Sequence, residues 1–242
     1  MTVLISDISP RKAARLAGIG YLVIIIAGIF AEFFVRSRLI VWGDAATTAG
    51  NIIASEGLFR VGIAGDLIML IFDAVVALAL YVLLKPVNRS IALLAVFFRL
   101  IHTAVCGINL LNPVMTAQLL SGADFLAVFD SGQLHALAML FLDAHRYGYI
   151  LGLVFFGGHC LLLGYLVYRS GYMPKIIGVL LVIASLAYLT DSFANILLSN
   201  YAAYADIFLM IVAFPAIVAE LSFTLWLLIR GGKLTITPVA AG

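Results

Sequence analysis

Long apolar segments separated by short polar connections are the feature that most constrains how this chain can fold. Of its 242 residues, 64% are hydrophobic and only 11% are charged, whereas an ordinary soluble domain has roughly 25% charged residues. A helix needs about 20 mostly apolar residues to cross a hydrocarbon core of about 30 Å. The sequence therefore predicts an all-α integral membrane protein, a bundle of about six transmembrane helices without a separate soluble domain.

Apolar length and helix-breaking residues set the positions of these spans. The tightest connections are 85–89 and 169–175, where proline and charged residues oppose continuation of a helix in lipid. All the spans belong to one predicted transmembrane domain, 1–242. They are predicted near 13–35, 58–84, 90–113, 146–168, 175–198 and 204–229.

The connection at about 116–145 is long enough to contain structure of its own. Its apolar stretch 134–142 is too short to span a bilayer, so we expect a short interfacial helix before span four. The residues 143–148 are expected to separate that helix from the span. In this interpretation the whole connection forms a lid at one membrane surface.

Basic residues indicate the orientation, because cytoplasmic loops carry an excess of Lys and Arg. If the N-terminus lies inside, an even number of spans places both termini in the cytoplasm, and that side receives every lysine. The chain is thus expected to be a multi-pass protein of the plasma (inner) membrane. The basic residues on the cytoplasmic side are Arg11, Lys12, Arg15, Lys85, Arg89, Arg169, Lys175, Arg230 and Lys233.

Polar residues form a stripe on the third predicted span. Arg99, His102, Cys106 and Asn109 follow i, i+3, i+7, i+10 spacing and share one helix face. Arg99 lies about 15 Å from the cytoplasmic end at 1.5 Å per residue, so it needs an acidic partner or water. The preceding span offers Asp66 and Asp73, and either could pair with it.

Ionisable residues inside a membrane usually face the bundle interior and mark functional sites. In this chain they gather toward the outer half of the predicted bundle, which favours a polar cavity open to the outside. Polar residues that only join helices are the alternative. The ligand-binding candidates are Asp66, Asp73, Arg99, His102, Asn109, His145, Arg146, Tyr149, His159, Asp191 and Asn195.

An internal repeat is suggested by two short matches, "FRVG" at 59–62 and "HRYG" at 145–148. Asp73 and His159 each lie 13 residues after the arginine of their copy. A parallel repeat of one helical hairpin would explain both features.

Several chemistries follow less directly from the sequence. The net charge of +2, without long charge runs, excludes a nucleic-acid partner. No established metal spacing is present, so no metal site is predicted. Haem b held by His102 and His159 is an alternative, because the two histidines lie at similar predicted depth. Hydrolysis by paired carboxylates is a further alternative.

Binding or movement of a small molecule, a lipid or a proton is the leading hypothesis, and an intramembrane enzyme is the alternative. Deep acidic residues outnumber deep arginines, which favours a cation or proton in the cavity. Six spans are few for a secondary transporter acting alone. A binding role or a homo-oligomer in the lipid bilayer is therefore favoured over a transporter that acts alone.

The stretch "FFGGHCLLLGYLVYRSGYMPKIIGVLLVIASLAYL" at 155–189 resembles a bacterial six-helix membrane family, domain of unknown function 4386. The resemblance extends to the short turn within this stretch and to "FRLIH" in the third span. It covers nearly the full length of the chain. The family frequently has an acidic residue where this chain has His102. The resemblance implies a bacterial plasma-membrane protein and contributes no activity or catalytic residue.

Overall fold

The computed structural model describes residues 8–233, and within that range six long helices are apolar enough to cross a membrane. This confirms the predicted all-α membrane fold, while the side on which the termini lie stays a prediction. The ends of the expected domain 1–242 lie outside the described residues. The helices are α1 (Pro10–Leu39), α2 (Ala45–Ala54), α3 (Glu56–Leu84), α4 (Arg89–Leu119), α5 (Ser131–Arg169), α6 (Lys175–Leu197) and α7 (Tyr201–Ile229), of which α2 is too short to span.

Helices α1 and α4 each extend further than the sequence predicted. Helix α1 does not end near residue 35, because a π-helical segment, Phe30–Arg36, carries it on to Leu39. Helix α4 is interrupted at Leu110 and resumes as Leu111–Leu119. Pro113 lies in the first turn of this second part, where a missing N–H costs little. The connection after α4 is correspondingly short and covers residues 120–130.

The predicted interfacial helix before span four is wrong, and so is the break at 143–148. Helix α5 runs without interruption over 39 residues, about 58 Å at 1.5 Å per residue. The stretch 134–142 is not a surface helix, because Ala138 and Leu142 are each 2% exposed and pack into the protein. Gly148 does not end the helix, since one glycine costs a helix only about 1 kcal/mol.

The chain divides into two compact units, each with its own core. The first unit comprises the chain up to Leu22, Phe72–Thr103 and the chain from Ile150 onward. The second unit comprises Val23–Ile71 and Ala104–Tyr149. Its core contains Val35, Leu39, Ile52, Phe59 and Leu142 among others.

The two predicted tight connections both lie in the first unit and are held by local hydrogen bonds. Asn88 caps α4, because its Oδ1 accepts from the Ile91 N–H at 3.0 Å. Ser170 Oγ accepts from the Met173 N–H at 3.2 Å, and Gly171 supplies the left-handed conformation with φ of 73°. The Tyr172 hydroxyl donates to the Leu83 carbonyl at 2.6 Å. Burial raises the pKa of Tyr172 above its ordinary value.

Candidate functional site

Arg99 is the centre of the polar cluster in the first unit. Its side chain is 0% exposed, so the guanidinium is removed from both water and lipid. An arginine cannot lose its proton in a protein and presents five N–H donors. The surrounding residues must therefore balance a full positive charge and accept its hydrogen bonds.

Asp73 on α3 supplies the counter-charge. One of its carboxylate oxygens forms a salt bridge with the Nη2 group of Arg99, and the other accepts from the Thr103 hydroxyl at 2.7 Å. Asp73 is itself 4% exposed. Of the two predicted partners of Arg99, this confirms Asp73. The pair is the reason why α3 and α4 can both carry a charge in the membrane.

His159 on α5 accepts from the same arginine. Its Nε2 lies 3.0 Å from Arg99 Nη1, and its Nδ1 lies 2.9 Å from the Ala95 carbonyl oxygen. Arginine can only donate, so Nε2 must be the acceptor and Nδ1 must carry the proton. The hydrogen-bond network thus assigns a neutral imidazole. Asp73 and His159, the equivalent positions of the predicted repeat, meet on one arginine.

Aromatic rings cover the guanidinium of Arg99. Its central carbon lies 4.8 Å from the centre of the Tyr21 ring and 5.5 Å from that of Phe156. The Tyr21 hydroxyl also accepts from Arg99 Nη1 at 2.8 Å. Within the described residues, Nε of Arg99 has no hydrogen-bond partner. One buried donor is therefore left to the cation–π contacts alone.

Phe156 also contacts both histidines that were candidates for haem ligation. Its ring centre is 5.1 Å from that of His102 and 5.9 Å from that of His159. Both ring nitrogens of His159 already have partners. This arrangement does not fit bis-histidine haem ligation, which needs a free nitrogen on each ring facing the iron. Within residues 8–233, no group of three His, Cys, Asp or Glu residues could hold a metal ion.

Glu220 on α7 is a second membrane-embedded acid of the first unit. The Tyr188 hydroxyl donates to its Oε1 at 2.6 Å, and Tyr188 packs edge-on against Phe156 at 5.5 Å. Among the described residues, no basic side chain forms a salt bridge with Glu220. Glu220 is not among the ligand-binding candidates predicted from the sequence, although its depth past Pro215 was a usable signal.

Two further candidates, Asp191 and Asn195, lie on α6. Asp191 accepts from the Tyr201 hydroxyl at 2.7 Å, which ties the end of α6 to the start of α7. Asn195 is half-buried one turn later. The contact of Asp191 is of the kind that joins neighbouring helices.

A different arginine, Arg36, organises the second unit. It donates to Glu32 Oε2 at 2.7 Å and to Asp66 Oδ2 at 2.6 Å. Asp66 is therefore paired, and its partner is not Arg99. Glu32 and Arg36 both lie in the π-helical segment of α1, a geometry that often occurs at functional sites. Arg36 is not among the predicted site residues, because the first span was predicted to end one residue earlier.

Asn109 and His145 join α4 to α5 in the second unit. The amide of Asn109 donates to the His145 carbonyl at 2.8 Å and accepts from Asn112 at 2.8 Å. Gly148 makes this approach possible, because a Cβ there would lie 2.2 Å from Asn109 Oδ1. Arg146 instead pairs with Asp143 at 3.1 Å and lies over Trp42.

A small cavity with a mixed polar and apolar lining lies among these residues of the second unit. It offers about 10 Å³, which is room for about one water molecule. Four predicted ligand-binding residues are among those that line it. Its polar lining consists of Arg36, Asp66, Asn109, His145 and Tyr149.

Replacing Arg36 with glutamine is expected to lower the free energy of unfolding by about 1–2 kcal/mol, because buried Asp66 loses a charged hydrogen bond. Arg60→Gln is the matched control, since Arg60 has the same i, i+4 contact with a glutamate but no buried partner. That control should change stability by no more than about 0.5 kcal/mol. Reversible unfolding in mixed micelles measures both variants. Equal losses would contradict a special role of the Arg36–Asp66 pair.

Six apolar helices and buried arginine–carboxylate pairs define a multi-pass membrane protein. The chain belongs to the family described as Domain of unknown function (DUF4386), which matches residues 16–231. An uncharacterized protein of Archaeoglobus fulgidus is 36% identical over 173 residues, covering 72% of this chain and 85% of that protein. No solved structure matches the chain. The resemblance seen in the sequence is confirmed.

Proposed function

We propose that this protein binds a proton in the membrane and helps to move protons through the first unit, with Glu220 as the group that gains and loses the proton. The observation that carries the proposal is an acid on a spanning helix whose one described partner is a tyrosine hydroxyl. Intramembrane acids of this kind serve proton relays in pumps and transporters.

The charge state of the Arg99 cluster supports Glu220 over its other members. Protonation of Asp73 would leave the guanidinium of Arg99 buried without a counter-charge, which is costly. Protonation of His159 would direct an N–H at the guanidinium, which can only donate. The cluster therefore favours one state, with charged Asp73 and Arg99 and neutral His159.

Glu220 is not restricted in this way. The Tyr188 hydroxyl can donate to an oxygen of a carboxylate or to the carbonyl oxygen of a carboxylic acid. A hydronium ion can thus transfer its proton to Glu220, leaving water and a neutral acid, without loss of the Tyr188 contact. Glu220 lies nine residues before the end of α7 at Ile229, about 14 Å deep at 1.5 Å per residue.

Carbodiimide labelling and proton uptake test this proposal together. Dicyclohexylcarbodiimide reacts with protonated carboxyl groups in apolar surroundings, and mass spectrometry of peptides identifies the modified residue. We expect labelling at Glu220 and not at Asp73.

In proteoliposomes with an internal pH dye and an imposed membrane potential, the wild-type protein should acidify the interior faster than protein-free vesicles.

Glu220→Gln should reduce that acidification to the rate of protein-free vesicles. Glu56→Gln is the matched control, because Glu56 is an exposed acid paired with Arg60, and it should keep the wild-type rate. A wild-type rate equal to that of empty vesicles would show that the proposed function is wrong. So would an unchanged rate in Glu220→Gln.

Binding of a small polar ligand in the second unit is a second candidate, favoured by the cavity among Arg36, Asp66, Asn109, His145 and Tyr149. Its size of about 10 Å³ suits a water-sized molecule, so a larger solute or lipid would require the unit to open. Native mass spectrometry after mild detergent extraction would detect a retained ligand. Loss of that ligand in Asp66→Asn would support this site.

The finer topology belongs to the same proposal. The positive-inside rule supports cytoplasmic termini, and the family resemblance supports a plasma-membrane location. The small number of spans supports a homo-oligomer. The intramembrane enzyme in its hydrolytic form stays an untested alternative. Its haem form would require His159 to give up its contact with Arg99, and a Soret band in the purified protein would show that it does so.

A further inference from the structure

The start of α1 and the end of α7 pack closely against each other in the first unit. A Cβ added to Gly18 would lie 3.0 Å from the Leu228 side chain, and one added to Gly231 would lie 2.7 Å from the Ala14 Cβ. Small residues four apart allow membrane helices to approach in this way. The contact continues into the short turn Gly231–Lys233 that follows α7.

This contact brings basic side chains of both chain ends together. The guanidinium of Arg15 lies beside Gly232, where an added Cβ would be 2.5 Å from Arg15 Nε. Arg230 and Lys233 flank the same turn, and all three basic residues are exposed. We call Arg15, Arg230 and Lys233 the terminal basic cluster.

No acidic residue compensates the terminal basic cluster within the part of the chain that the structure describes. The salt bridges found there involve Arg36, Arg60, Arg99 and Arg146. Like charges held close together repel one another, so the cluster is stabilised when an anion lies between them.

The position of the cluster indicates which anion is available. It lies where two membrane-spanning helices begin and end, which is the level of lipid headgroups. Trp226, one turn before Arg230, is half-buried and amphipathic, as is typical of the membrane interface. The Arg15 guanidinium offers a planar fork of donors that matches a phosphate group.

We propose that the terminal basic cluster binds the phosphate group of an anionic phospholipid. The lipid headgroup would join the first and last spanning helices through Arg15, Arg230 and Lys233. This site is independent of Glu220 and of proton binding.

Native mass spectrometry of the purified protein with added phosphatidylglycerol or phosphatidylcholine tests the proposal. We expect preferential retention of phosphatidylglycerol. Arg15→Gln combined with Lys233→Gln should weaken its binding by about twenty-five-fold, since each basic residue near an anionic surface contributes a factor of about five. Arg38→Gln with Arg60→Gln removes two exposed arginines of the second unit and should leave binding unchanged.

Gly232→Ala provides a variant that keeps every charge. The three atoms nearest to the added methyl group all belong to the flexible end of Arg15, so the protein should fold normally while the guanidinium is displaced and lipid binding weakens. Equal retention of the two lipids would overturn the proposal, as would unchanged binding in both variants. Displacement of phosphatidylglycerol by millimolar inorganic phosphate would also overturn it, because the ligand would then be free phosphate.

Discussion

Asp73→Asn is expected to lower the free energy of unfolding by about 3–5 kcal/mol, the cost of leaving a buried charge without its partner. Arg99 is fully buried, so neither solvent nor lipid headgroups can replace the lost carboxylate. The Thr103 hydroxyl, which contacts Asp73 Oδ2 at 2.7 Å, keeps the Arg99 carbonyl at 2.9 Å as an acceptor, so the loss comes from the unpaired charge. Reversible unfolding in mixed detergent micelles measures the change.

Two comparisons give this result its meaning. Asp143→Asn removes an acid whose side chain is 40% exposed, and its effect should stay within about 0.5 kcal/mol. Asp73→Leu combined with Arg99→Met removes both charges and should recover much of the lost stability. A stable Asp73→Asn variant would contradict the assignment of Asp73 as the essential counter-charge.

The partner of Arg99 was partly predictable because helical geometry relates sequence to depth. Spacing placed Arg99 and His102 on one face of α4 and limited the acids to Asp66 and Asp73. The choice between these acids could not be made from one sequence, since depth does not fix which neighbouring helix each side chain faces. In the structure Asp66 forms a salt bridge with Arg36, so Asp73 is the acid that pairs with Arg99.

The unpredicted extensions of α5 and α1 have one physical cause. Tertiary contacts outweigh the local tendency of glycine and polar residues to end a helix. Helix α5 continues through Gly148 because Asn109 packs against that glycine and binds the His145 carbonyl. Helix α1 continues to Leu39 because Leu39 is buried in the core of the second unit. Apolar length alone predicts that the first span ends, and that the fourth span begins, next to polar residues.

The pair of Glu220 and Tyr188 shows a further limit of sequence reasoning. Both residues were visible as polar positions on adjacent spans, but their registry depends on how closely α6 and α7 approach. The 2.6 Å hydrogen bond between them is a tertiary contact, which helix periodicity does not predict. The same holds for Phe156, whose ring contacts both Arg99 and the tyrosine that binds this acid.

Gly164→Leu is expected to lower the free energy of unfolding by about 3 kcal/mol, at the upper end for overpacking. A Cβ at Gly164 would lie 2.7 Å from the Gly178 carbonyl oxygen, and one at Gly178 would lie 2.6 Å from the Gly164 carbonyl oxygen. The two backbones of α5 and α6 are therefore in direct contact, and a side chain can enter only if the helices separate. Thermal unfolding in detergent and reversible unfolding in mixed micelles both report the loss.

Gly50→Leu is the matched control on α2, because no atom lies within 4 Å of a Cβ at that position. It should stabilise the helix by up to about 1 kcal/mol, since leucine has the higher helix propensity. The same substitution thus changes stability in opposite directions at the two sites. If both variants behaved alike, the close contact of α5 and α6 would not be what holds this part of the first unit together, and the position of His159 beside Arg99 would need another support.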